Sequence, residues 1–302
     1  VAVPRTNSAA KKEGQIAGGY VHDVEAGLHP WIGILDFKSM YPSIMISNNV
    51  CYTTRIGVTH PNQPSENELV HESPTGVRFR SVESRKGLVP TLLEDLMSER
   101  DRQKDAKGMA NSASEAAFHD QVQYAIKILM NTFYGVFASG FYRFTHKDLG
   151  SSITAWARHN IKNIIQRVEE EGHSVVYSDT DSIFVRAPVD PDAPIVEPEQ
   201  ADTAGNKAWN EAIATLVSFC NELAERFTQE GAVLEFETGL SSFFSHGAKK
   251  RYVGQVVWPN STLIIKGYET QRTDSFDYLT EGMQKMFELV LSGEEDDAVQ
   301  FA

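Results

Sequence analysis

The sequence predicts an α+β fold in which a β-sheet carries a projecting hairpin of two long helices. Three observations lead there. Short apolar runs such as "WIGILD" (31–36), "VVYSDTDSIF" (175–184), "RYVGQVVW" (251–258) and "STLIIKG" (261–267) read as strands scattered along the chain. Two long helical patterns follow one another between 88 and 135. Strands and helices interleave without the regular rhythm of βαβ units. With 302 residues, 41% of them hydrophobic, the chain is long enough to bury a core and suits one large domain or two to three lobes.

Taken in order, "WIGILD" is a buried strand, followed by a helix through "YPSIMISNN" whose proline sits in the first turn, where its missing N–H costs nothing. The polar, proline-containing stretch from Arg55 to Gly87 reads as loop and hairpin. In "LVPTLLEDLMSERDRQKDAKG" an apolar stripe of Leu92, Leu93, Leu96 and Met97 gives way to Arg100, Lys104 and Lys107, so the base packs and the tip is basic. The next helix opens on the capping-box pattern "SASE" at Ser112–Glu115 and is expected to stop at Gly135. On a wheel, Val122, Ile126, Leu129 and Phe133 share one face and Lys127, Asn131 and Tyr134 the other. Helices through "ITAWARHNIKNIIQRVEEEG" and "WNEAIATLVSFCNELAERF" flank the "DTD" hairpin, and the two strands from 251 to 267 pair.

No run reaches the ~18 to 20 apolar residues of a membrane span, and the first residues lack the apolar centre of a signal peptide. The two cysteines, Cys51 and Cys220, form no CxxC pair, which argues against a zinc ribbon, a redox motif or a disulfide framework and for an intracellular setting. The net charge of −13 by itself speaks against nucleic acid as partner, because phosphate binding draws on Lys and Arg. Its distribution matters more. Acids gather in "PVDPDAPIVEPEQAD" and "SGEEDD", whereas "KKR" at 249–251 and Arg100, Lys104 and Lys107 are local basic groups, so a basic cleft on an acidic body is compatible with the composition.

Asp179 and Asp181 stand two apart in a strand–turn–strand pattern. As turn residues they bond their own backbone; as residues i and i+2 of extended chain they face one side together. Asp36, closing a buried strand, serves equally as a helix cap. If the strands share a sheet, the three carboxylates converge, and like charges ~4 Å apart repel by roughly 4 kcal/mol at an effective dielectric near 20. A cation between them removes that cost, and oxygen ligation rich in carboxylate points to Mg²⁺ or Mn²⁺ rather than zinc. Arg100, Lys104 and Lys127 would suit a triphosphate across from such a centre. Their bland reading, as solvated charges beside Asp101 and Asp105, stands next to it.

At this point the residues resemble a known family. "DFKSMYPSI" (36–44), "KILMNTFYG" (127–135) and "YSDTDS" (177–182) are similar, in order, to the three polymerase motifs of family B DNA polymerases, with an archaeal flavour, and "KKRY" (249–252) and "KGYETQRTD" (266–274) to two further family segments. The resemblance implies a right-hand architecture, an antiparallel palm sheet backed by helices with a fingers hairpin: palm at 1–87, fingers at 88–136, palm again at 137–275, and the start of a truncated thumb at 276–302. It implies Asp36 and Asp181 as main ligands of two Mg²⁺ ions, Mn²⁺ being possible, with the Phe37 carbonyl also ligating and Asp179 in support. Tyr41 would exclude a ribose 2′-hydroxyl. Arg100, Lys104 and Lys127 would hold the triphosphate, while Asn131 and Tyr134 shape the base-pair pocket. Lys249, Lys250, Arg251, Tyr252, Lys266 and Arg272 would meet primer-template DNA, and Glu235 and Glu237 match acids near the metals, with a purely structural role equally open. The implied reaction is attack of a primer 3′-hydroxyl on the α-phosphate of a dNTP, one metal lowering the hydroxyl's pKa and the other steadying pyrophosphate. A sliding clamp is an expected partner through regions outside this sequence, and cytoplasm or nucleoid the expected place.

The sequence departs from the family pattern at Ser178, where glycine is commoner and a side chain would crowd the primer end, at Ile16, where tyrosine is usual, and at "RTD" (272–274), where a double arginine is frequent. A polymerase-domain fragment without the 3′→5′ exonuclease and most of the thumb is expected. Two other classes stay in view: a DNA-binding polymerase homologue weak in catalysis, and another palm-type nucleotidyltransferase. The intact acids at 36, 179 and 181 count against the first, and Tyr41 against an RNA-making enzyme.

Overall fold

The structure is a computed structural model, described over residues 16–57, 64, 68–139, 142, 146–229, 231–268 and 276–301. The chain divides into two compact units, 1–19 with 38–160 and 229–232, and 20–37 with 161–228 and 233–302.

The second unit is built on a six-stranded antiparallel sheet. Its strands are β1 (Gly27–Phe37), β5 (Val175–Asp179), β6 (Ser182–Arg186), β7 (Leu234–Ser245), β8 (Tyr252–Trp258) and β9 (Thr262–Lys266), in the order β5-β6-β1-β7-β8-β9. The apolar run predicted as one strand is thus the centre of a longer one, and it lies between two partners. That placement explains why "WIGIL" is apolar at successive positions: both faces of a central strand are covered. Helix α5 (Thr203–Phe227) packs along β1 and β7, its N-terminus capped by Asp202, whose carboxylate accepts from the Gly205 N–H at 2.9 Å. Ile32, Phe184, Leu240 and Phe243 form one buried cluster, and burying each such side chain contributes about 1.5–3 kcal/mol. A second cluster joins Val253 to Phe287 and Leu291 of α6 (Asp277–Leu291), which is followed by α7 (Glu295–Phe301).

The first unit holds α1 (Met40–Ser47), a small sheet of β2 (Arg55–Ile56), β3 (Val70–Glu72) and β4 (Arg78–Arg80) in the order β2-β4-β3, and the antiparallel pair α2 (Leu88–Met109) and α3 (Ala113–Ala138). Helix α4 (Lys147–Glu170) begins in it. The fully buried Asn49 ties the small sheet to the start of α2. Its amide donates to the carbonyls of Arg80 and Arg85 at 2.7 and 2.8 Å and accepts from the Gly87 N–H at 2.8 Å. Phe79 packs on Trp156 beneath it.

Two details of the helical pair differ from the sequence reading. α3 runs through Gly135 to Ala138, because a glycine with open space around it is tolerated inside a helix whose ends are fixed by other residues. Its buried residues are Met130 and Phe137, while Leu129 is half exposed. The packed face is therefore rotated by about one residue, and Tyr134 lies toward it rather than opposite. The predicted N-cap is present: Ser112 Oγ accepts from the Glu115 N–H at 3.2 Å, and Glu115 reaches back to the Asn111 N–H at 2.9 Å. Both cysteines are free and buried. Among the described residues no helix is long and apolar enough to cross a membrane.

Candidate functional site

In the second unit, the register of the central strand decides where the acids fall. Asp36, next to last in β1, pairs with Ser182 of β6 on one side and Glu235 of β7 on the other. The Phe37 N–H then donates to the Asp181 carbonyl at 2.8 Å, which locks the end of β1 against the β5–β6 turn. That turn is Thr180–Asp181, between the paired Asp179 and Ser182. Thr180 has φ +59°, a left-handed conformation that costs a β-branched residue on the order of 1–3 kcal/mol. It is held there by its own N–H donating to the Tyr20 carbonyl and its hydroxyl donating to Asp179 Oδ1, each at 2.9 Å.

Asp36, Asp179, Asp181 and Glu237 line one cavity of about 640 Å³, together with Lys250, Tyr252 and Lys266. A bulge in β7 opposite Ile34/Leu35 brings Glu237 to this lining; Glu235 faces Asp36 across the ladder without lining the cavity. The carboxylates register on their neighbours. The Tyr252 hydroxyl pKa is pushed up by burial first and then by the charges of Asp179, Glu237 and Asp181, and burial raises Tyr177 to about 12.

The sequence reading missed how Lys250 is used here. Its ammonium pairs with Asp179 Oδ1, and its backbone N–H donates to the Tyr177 hydroxyl at 2.9 Å. Lys250 takes φ +65° and leans on Gly267, where a Cβ would lie 1.9 Å from the Lys250 carbonyl oxygen; with φ +73° at Gly267 itself, only glycine fits. The other basic residues differ in role. Lys249 pairs with Asp23 at 2.9 Å and donates to the Val21 carbonyl at 3.1 Å, Arg251 is exposed and outside the cavity lining, and Lys266 lines it. Arg272 and the rest of 269–275 lie outside the described residues. Ser178 is fully buried.

The cationic residues expected to hold a triphosphate belong to the first unit. Arg100 is nearly buried; its guanidinium donates to Ser39 Oγ at 3.1 Å and to Gln123 Oε1 of α3 at 3.3 Å. Lys104, Lys127 and Asn131 are exposed, and neither lysine has a partner among the described residues. Lys107 is tied to Asp120 at 2.7 Å. The rings of Tyr41 and Tyr134 lie 4.3 Å apart at 35°, and burial raises the Tyr134 hydroxyl pKa.

The oxygen-only donors of the acidic cavity fit a hard divalent ion. Among the described residues no three His, Cys, Asp or Glu side chains are gathered into a closed metal cage. Mg²⁺ does not require one, since it is usually held by one or two carboxylates with waters and substrate phosphates completing its shell.

Comparison with known proteins decides the family. The model of DNA polymerase family B matches residues 1–197. The chain belongs to family B. It is 31% identical to a DNA polymerase of Desulfurococcus sp. (strain Tok) over 98% of its own length and 35% of that protein's, and 29% identical to the DNA polymerase delta catalytic subunit of Arabidopsis thaliana over 94% and 26%. The solved structure of the family B DNA polymerase from the hyperthermophilic archaeon Pyrobaculum calidifontis superimposes with a TM-score of 0.66 at 25% identity, covering 98% of this chain and 34% of that one. The chain thus spans between about a quarter and about a third of the length of these family B relatives. Archaeal polymerases are among these relatives, in keeping with the archaeal flavour of the motifs.

Proposed function

We propose that the chain carries the polymerising centre of a family B DNA polymerase and adds deoxynucleotides to a primer 3′-end under template direction. The observation that carries this reading is the shared cavity of Asp36, Asp179 and Asp181, in which separate parts of the sequence bring three acids to one lining where Lys250 pairs with Asp179. Asp36 and Asp181, with the Phe37 carbonyl, would hold two Mg²⁺ ions, and Asp179 supports them. When bound, these ions supply Lewis-acid activation of the 3′-hydroxyl and charge neutralisation at the leaving pyrophosphate. The chain's own residues bind and orient. Arg100, Lys104 and Lys127 receive the triphosphate as a charge clamp, Arg through its fork and the lysines as point charges. Tyr41, its ring fixed against Tyr134, fills the space a ribose 2′-hydroxyl needs, and Asn131 borders the nascent base pair. Lys249, Lys250, Arg251, Tyr252, Lys266 and Arg272 grip primer-template, Lys250 by exchanging Asp179 for DNA. The helices α2 and α3 act as fingers and the six-stranded sheet as palm.

The test is extension of a labelled primer on a template with dNTPs and Mg²⁺. Wild-type chain should extend it, chelation should stop it, and Asp181→Ala should abolish it with the fold retained. Extension at the wild-type rate by Asp181→Ala, or none by the wild type, would overturn the assignment.

A further inference from the structure

Within the first unit, two carboxylates flank Arg100 in sequence, and neither reaches it. Glu99 accepts from Arg102 and, at 2.7 Å, from the Gln103 amide. Asp101 is bound at 2.9 Å by Lys38, the residue that follows Phe37 at the end of the central strand. Among the described residues Arg100 itself bonds only to neutral oxygens, the Ser39 hydroxyl and the Gln123 amide. A nearly buried guanidinium without a carboxylate partner keeps its full charge for an incoming anion. Ser39 shows the same bias. It is the N-cap of α1, in left-handed conformation at φ +49°, yet its side chain makes no capping bond. In that conformation its oxygen is free of the helix and accepts from Arg100. Consecutive residues Lys38 and Ser39 thus engage consecutive residues Asp101 and Arg100, one masking the acid and the other aiming the base.

We propose that Lys38 is a positioning residue for nucleotide binding: by occupying Asp101 it keeps that carboxylate from neutralising Arg100 and from repelling the triphosphate. This rests on the polymerase reading above. Lys38 need not touch the nucleotide; it acts through Asp101. An unmasked carboxylate beside Arg100 weakens the positive potential that a triphosphate would meet there, an effect that salt screens. In Lys38→Met the nucleotide affinity should therefore fall about three- to tenfold.

The experiment measures dNTP binding without turnover. A dideoxy-terminated primer-template is mixed with the chain, Mg²⁺ and the next correct dNTP, and the dNTP concentration that traps the ternary complex is read by gel shift. Lys38→Met should raise that concentration about three- to tenfold, and the rise should shrink in high salt. Lys38→Met combined with Asp101→Asn should return it to near the wild-type value, because the unmasked charge is gone. A scaffold role for Lys38 would not show this rescue, since the double variant still lacks the ion pair. Unchanged binding in Lys38→Met, or a double variant no better than the single, overturns the inference while the polymerase reading stands. Failure of the wild type to form any ternary complex overturns both.

Discussion

Replacing Gly33 by alanine tests whether the back of the central strand sets the position of Asp36. A Cβ at residue 33 would lie 2.1 Å from Cys220 Sγ of α5, and otherwise only 3.5 Å from Cys220 Cβ and 3.8 Å from Leu216 Cδ1. Carbon and sulfur need more than ~3.5 Å, so strand or helix must yield by over an ångström. Gly33 sits between Val185 of β6 and Gly239 of β7, so the strand has little room, and the overpacking should cost about 1–3 kcal/mol. Cys220→Ala alone removes a buried sulfur at a cost of roughly 1 kcal/mol. In the double variant the sulfur that clashes is absent and the two remaining contacts are ordinary. Its loss should therefore fall short of the sum of the single losses by on the order of 1–2 kcal/mol. Urea unfolding followed by tryptophan fluorescence reads this, since Trp31 and Trp209 lie 5.4 Å apart in the same unit. Primer extension should fall in Gly33→Ala and recover with Cys220→Ala, because Asp36 is three residues further along the strand. Strict additivity of the two losses would refute the argument.

Tyr41→Ala should raise ribonucleotide incorporation relative to deoxynucleotide, because the ring packed on Tyr134 is removed; paired dNTP and rNTP extension assays check it, and an unchanged ratio sinks the gate role. Burial raises the Cys220 thiol from 9.0 to about 12. The folded chain therefore keeps a proton that the unfolded chain releases, so this contribution to stability is complete below pH 9 and is lost progressively as pH climbs toward 12. Unfolding curves at pH 8 and pH 10.5 should show a smaller alkaline loss for Cys220→Ala than for wild type. Lys250→Met should weaken primer-template binding, measured by anisotropy, while changing stability by less than about 1 kcal/mol, since its ion pair is more than half exposed on the lysine side. Unaltered DNA affinity would remove Lys250 from the DNA-contact set.

What the sequence made legible follows from where the information resides. The strand "WIGILD", the "DTD" turn and the Ser112 cap are local patterns, and antiparallel pairing then carries Asp36, Asp179 and Asp181 to one cavity. The side-chain partnerships were not legible. Lys250 reaches Asp179 only because its backbone turns left-handed over Gly267, and nothing in "KKRY" announces that turn. Lys38 finds Asp101 through the packing of α1 on α2, a distance of sixty-three residues in sequence. On α3, Leu129 has the hydropathy of a core residue, whereas the buried contact is made by Met130, one step around the helix. Gly135 looked like a stop because glycine ends many helices, but the chain's helical hydrogen bonds continue past it.

The central claim is that acids at the end of β1 and in the β5–β6 turn share divalent ions. Mn²⁺ binding to the ternary complex with dideoxy-terminated primer-template and dNTP, followed by electron paramagnetic resonance, tests it most directly. Tight Mn²⁺ uptake by the wild type, lost in both Asp36→Asn and Asp181→Asn, is the predicted result; equal uptake by all three proteins would contradict it.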